Sequence, residues 1–165
     1  MPISNLNDLL VFELMSIRDA EEQAATAIDA QLDGVDDEDV EELLESRLET
    51  GERLKRVVEG ALKKLGGESN VVRNDAARGI IQSMENMLGE AQTPELRLAV
   101  LIAGVQKLEH YCIATWGTVK ALAREAGEQQ IVDAMQRALD EGHVLDEQLS
   151  DIAEQGLNVR LILKA

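Results

Sequence analysis

Charged side chains occur in this chain at positions where the pattern calls for apolar ones. Residues 98–119 repeat Leu98, Leu101, Ile102, Val105, Leu108, Cys112, Ile113, Trp116 and Val119 at helical spacing. With a turn of about 100° per residue, Glu109 falls within about 40° of the centre of that stripe. Glu21 lies on a second stripe, with Leu6, Leu10, Leu14, Ile17, Ala20, Ala24, Ile28 and Leu32. Arg47 lies beside Leu48 on a third, within about 20° of its apolar centre. A carboxylate withdrawn from water is costly unless it is paired, protonated or bound to a metal. Inward acids therefore imply a metal site, a retained proton or a fixed cation.

The elements that position these residues are helices. Helix formers dominate, period-two alternation of Val and Ile is absent, and two prolines leave room for long helices. The spacing predicts helices at about 4–32, 37–65, 75–88, 94–126 and 128–153, and a tail 154–165 of unassigned state. In the second helix Val40, Leu44, Leu48, Leu54, Val58, Ala61, Leu62 and Leu65 face inward, and in the short third Ala76, Ile80, Met84 and Met87 do. Asp36 or Asp37 caps the second helix, Gly66-Gly67 stops it, and Thr93-Pro94-Glu95 starts the fourth. Two tight connections and one long one predict a single all-α domain. Its architecture is an antiparallel four-helix bundle with one long crossover carrying a short helix, the topology that ferritin-like bundles use.

Composition narrows the partners. The chain has 165 residues and a formal charge of −16. Nucleic acid and anionic membrane are poor partners for such a surface. Acidity on this scale fits cation binding or simply a solvated surface. No run of apolar residues is long enough to span a bilayer, and no basic, apolar leader follows Met1. Cys112 is the single cysteine, which fits a reducing cytoplasm.

Three stretches resemble the YciF-like family of ferritin-like proteins. Residues 13–23, Glu-Leu-Met-Ser-Ile-Arg-Asp-Ala-Glu-Glu-Gln, are similar to its E-L-x-x-L-Y-D-A-E-K-Q. Residues 101–118 closely resemble L-I-A-A-A-Q-x-V-E-H-Y-E-I-A-x-Y-G-T. Residues 139–149 are similar to L-x-E-E-K-x-x-D-x-x-L. The resemblance implies a stress-associated bacterial protein, paired as a homodimer, with two metal ions in the bundle core where the motifs are intact. Apolar residues beyond a single stripe, Met84, Met87, Ile131 and the tail Leu161-Ile162-Leu163, also suit a homodimer.

Set against the family pattern, Glu21, Glu109 and Asp146 retain acids, while Leu48, Gly51, Cys112 and Gly142 stand where ligands would be. Glu49 and Glu52 have ligand-like spacing but point away from the stripe. His143, three residues before Asp146, is a further candidate ligand, and His110 faces outward. Phase and resemblance together leave three readings of function, the last a small-molecule site in the space left by Gly51 and Gly142. In the first, a ferritin-like stress-associated structural or interaction protein has lost the di-iron centre and needs no cofactor. Glu21, Glu109 and Asp146 then converge, and Arg47 takes the metal's place among them, with space supplied by Gly51 and Gly142. In the second, a residual iron or manganese site supports oxidase, peroxide-scavenging or storage activity, and Arg47 is a boundary arginine whose head reaches water. No nucleophile–base–acid set is present for other catalysis.

Overall fold

The computed structural model describes residues 2–154. Among them are five helices: α1 (Leu6–Leu32), α2 (Glu38–Leu65), α3 (Asp75–Glu90), α4 (Pro94–Glu125) and α5 (Gln129–Ile152). Their ends follow local chemistry. Asn5, Asp37, Asn74 and Thr93 cap α1 to α4 by accepting a backbone N–H three residues on. Pro94 opens α4, where its missing N–H costs nothing. Gly66 ends α2 in the left-handed conformation at φ 79°, and the N–H groups of Gly66 and Gly67 both reach the Leu62 carbonyl. The tail 155–165, including Leu161-Ile162-Leu163, lies outside the described residues.

The four long helices form a ring. α1 packs on α2, α2 on α5, α5 on α4 and α4 on α1, while among the described residues the backbones of α1 and α5, and those of α2 and α4, stand apart across the ring. Direction follows from the ion pairs. Lys64 near the end of α2 meets Glu128 just before α5, and Arg53, earlier in α2, meets Glu141, later in α5. α2 and α5 are therefore antiparallel. α3, carried by the long connection, packs on α4 and α1 from outside the ring. The core is aliphatic apart from Trp116, which is fully buried.

Asn74 fastens the crossover to the ring. It is 4 % exposed, caps α3, and donates from Nδ2 to Ser16 Oγ at 2.9 Å and to the Tyr111 hydroxyl at 2.7 Å. Its own N–H donates to Asp19 at 2.7 Å, and Gln23 donates to its carbonyl. Asp19 and Gln23, both in the first family-like stretch, thus hold the crossover.

Two sequence expectations are corrected here. α3 buries Ala77, Ile81, Met84 and Leu88, leaving Ala76 and Met87 exposed. Its face is rotated because Leu88 supplies more apolar area than Ala76 and because Met84 seats against Gly104 of α4. Met84 and Ile131 are 3 % and 2 % exposed, so both serve their own chain's core and neither supplies a surface patch.

Candidate functional site

Arg47 lies in the middle of the ring, 4 % exposed, between Glu21 (2 %) and Glu109 (1 %). Each of the three comes from a different helix, at the inward phase of its stripe. The guanidinium divides its donors. Nη1 donates to Glu21 Oε2 at 2.9 Å, Nε donates to Glu109 Oε2, and Nη2 points at Cys112 Sγ at 3.6 Å. The Arg47 head also lies over the Trp116 ring, 5.3 Å from its centroid, while Trp116 Nε1 donates to Glu21 Oε1 at 3.1 Å. Trp116 therefore holds both members of the Arg47–Glu21 pair. One polar atom of the cluster, Glu109 Oε1, is buried and has no hydrogen-bond partner.

Two glycines make the cluster possible. A Cβ at Gly51 would stand 2.9 Å from Glu21 Oε2 and 3.0 Å from Arg47 Nη1. A Cβ at Gly142 would stand 2.6 Å from Glu109 Oε1 and 2.8 Å from the Trp116 ring. Side chains at either position would occupy the volume in which the carboxylates and the guanidinium now lie.

The electrostatics follow from burial and pairing. Burial pushes the Glu109 carboxyl above its ordinary value; Arg47 pulls it back in part, and Glu21 and Asp146 add to the rise. Burial alone would lower the Arg47 pKa, but Glu21 and Glu109 overcome it and hold the guanidinium well above its usual range. Burial likewise pushes the Cys112 thiol up, so it stays protonated. The cluster holds one fixed cation against two carboxyl groups.

Asp146 does not join them. It is half-buried on α5, accepts from Gln106 at 3.4 Å and lies 3.4 Å from His110 Nε2. Its position lets it feel Glu109 but turns its carboxylate toward α4's outer face, where His110 is exposed. The convergence of three acids expected from the sequence is thereby corrected to two. His143 is exposed on α5, and Glu49 and Glu52 are exposed on α2. Leu48 is half-buried, because Arg47 rather than Leu48 takes the inward phase. Among the described residues no three of His, Cys, Asp and Glu stand together as they would around an ion.

Sequence reasoning missed a second cluster, on the α2–α5 seam. Glu141 Oε2 accepts from Thr50 at 2.9 Å and Arg53 at 2.6 Å, and Oε1 accepts from Arg137 at 2.9 Å. Burial would raise its pKa, but these donors prevail and lower it. Only the i,i+4 spacing of Arg137 and Glu141 signalled any of this. Between the two clusters a cleft of about 290 Å³ opens between α2 and α5 and reaches Arg47 and Glu109 over Gly142.

This arrangement can be set beside known proteins. The family described as "Domain of unknown function (DUF892)" matches residues 5–162. The chain belongs to this family. It is 28 % identical to Protein YciF of Escherichia coli (strain K12), the match covering 100 % of both chains. The crystal structure of the E. coli stress protein YciF superposes with a TM-score of 0.82 at 25 % identity, covering 94 % of this chain and 99 % of that one. YcfI from Rhodopseudomonas palustris, provisionally described as a structural protein, gives 0.82 at 30 % identity, covering 90 % and 94 %. Membership of DUF892 thus goes with the helical bundle and names no reaction.

Proposed function

We propose that this DUF892 chain is a stress-associated structural or interaction protein on a ferritin-like bundle, with Arg47 in place of the di-iron centre. The observation that carries the reading is the Arg47 guanidinium bonded to both Glu21 and Glu109 in the middle of the ring. Hard cations need several oxygen ligands. Here Glu21 Oε2 and Glu109 Oε2 already accept from Arg47, and Glu21 Oε1 accepts from Trp116. The remaining positions of the family pattern are Leu48, Gly51, Cys112 and Gly142, and Asp146 is bonded elsewhere. This donor set does not fit a pair of iron or manganese ions, so no catalytic step is assigned to them. A stress role is supported by the likeness to the E. coli stress protein YciF, and a structural role by the likeness to YcfI of Rhodopseudomonas palustris.

The ring order and the crossover-borne α3 support the ferritin-like reading, since ferritin-like bundles join two antiparallel pairs by one long connection. We also propose a homodimer. With Met84 and Ile131 buried, support comes from the family resemblance and from Met87 and Leu96, 45 % and 40 % exposed on either side of the α3–α4 turn.

The function is tested by incubating the purified protein with ferrous iron in air, and separately with hydrogen peroxide. The expected oxidation and peroxide-consumption rates equal those of buffer. A rate that scales with protein concentration and disappears in Glu109→Gln would restore a metal enzyme.

A further inference from the structure

A second groove, of about 430 Å³, opens farther along the α2–α5 seam, toward the end of α2 and the start of α5. It lies on the side of the ring away from α3, which packs on α4 and α1. Its floor is aliphatic, made by Leu54, Val57, Ala134 and Ala138. Its rim carries three guanidiniums, Arg53, Arg56 and Arg137, against two carboxylates, Glu141 and Asp133. In a chain with 32 acidic and 16 basic side chains, that local excess runs against the whole. Glu141 shows how it is held. Oε1 accepts from Arg137 Nε at 2.9 Å and Oε2 from Arg53 Nη2 at 2.6 Å, so one carboxylate serves two guanidiniums. Thr50, buried on α2, also donates to Oε2 and fixes the carboxylate in place. Asp133 is engaged by Gln129 at 2.7 Å. Outside the groove, Glu49 and Glu52 approach Arg53 and Arg56 only to 3.9 Å, beyond a hydrogen bond. Among the described residues, the two terminal nitrogens of Arg137 and the whole Arg56 head make no hydrogen bond to protein.

We infer that this groove is a binding site for a small organic carboxylate, its head taken by Arg137 and Arg56 and its hydrocarbon body lying on Leu54, Val57, Ala134 and Ala138. A guanidinium presents parallel donors that match the two oxygens of a carboxylate. A neutral ligand would leave the excess charge of the rim unmet, and a bare inorganic anion would leave the floor uncovered. The volume lies within the range of ligand pockets and suits a body of several carbons. Arg53 and Arg137 are already held by Glu141, so part of the rim is arranged before a ligand arrives. At long range a chain of charge −16 repels anions, so affinity comes from contact with these side chains. The site stands on the groove and its arginines, and its existence does not depend on the structural role proposed above.

The test is a titration of the full-length, isotope-labelled protein with sodium hexanoate at neutral pH and constant ionic strength, followed by amide chemical shifts. Saturable shifts centred on Val57, Ala134 and Ala138 are expected, with no saturation by n-hexanol or inorganic phosphate at the same concentrations. Arg137→Gln should weaken binding by roughly tenfold or more. Arg137 is exposed, so this variant keeps its fold. Ala134→Phe leaves all three arginines in place but fills the floor, and should weaken binding by a similar factor. Non-saturating shifts with hexanoate, saturation by n-hexanol or by phosphate, or affinity unchanged in Arg137→Gln would each overturn the site.

Discussion

At the scale of the residue, the structure rests on how one guanidinium is shared. A buried ion pair need not add net stability relative to apolar side chains, yet removing one partner strands the other charges. Arg47→Ala should therefore cost on the order of 3–5 kcal/mol in urea unfolding. A cost below about 1 kcal/mol would mean that water reaches the cluster and screens it. The two acids are not equivalent. Glu21 has both oxygens hydrogen-bonded, by Arg47 and Trp116, whereas Glu109 has one. Glu21→Gln should thus destabilise more than Glu109→Gln, read as the difference in urea midpoint. pH separates them further. The folded-state pKa of Glu109 lies above its ordinary 4.5, so the folded protein binds this proton more readily than the unfolded chain. Its carboxylate then becomes a growing cost as pH rises above 4.5 through the raised value. The stability of the wild type minus that of Glu109→Gln should fall across that window. A difference that rises with pH instead would place Oε1 in a solvated or fully paired setting.

At the scale of the element, helices approach one another where side chains are absent. Gly51 and Gly60 lie on the same helix and make the comparison direct. A Cβ at Gly60 meets nothing within 4 Å, while one at Gly51 meets Glu21 and Arg47. Gly60→Ala should stabilise by roughly 0.5–1 kcal/mol through lower chain entropy in the unfolded state. Gly51→Ala carries the same gain but must displace an ion pair, and should be destabilising by about 1–3 kcal/mol. Thermal melts of the two variants, moving in opposite directions, check this. The same contrast shows what the sequence could convey. Phase along a single helix is local, so the inward positions of Glu21, Arg47 and Glu109 were legible from apolar spacing. Partners across helices are not local. The Trp116 bond to Glu21 joins residues far apart in the chain, and nothing in either stripe announced it. Asp146 is a family-like aspartate, but its carboxylate meets Gln106 and His110 instead, contacts that the phase of α5 alone does not reveal. α3 was legible as a helix and misread in phase, because its apolar residues fit two faces and Asn74 and Gly104 select one.

At the scale of the whole molecule, charge and metal content are the deciding properties. A chain with a formal charge of −16 repels itself when compact. Its melting temperature should rise between low salt and about 1 M sodium chloride, where the screening length falls to about 3 Å. A flat response would mean that the acids are already compensated by pairing on the surface. The dimer proposed above predicts twice the chain mass in light scattering at micromolar concentration, and a monomer mass would refute it. The central claim, that Arg47 stands where a metal pair would otherwise sit, is tested most directly by elemental analysis of protein purified without chelator and reconstituted with excess ferrous or manganous ion before desalting. The account predicts iron and manganese far below one atom per chain in the wild type. One or more atoms per chain, retained through desalting and lost in Glu21→Gln and Glu109→Gln, would contradict it.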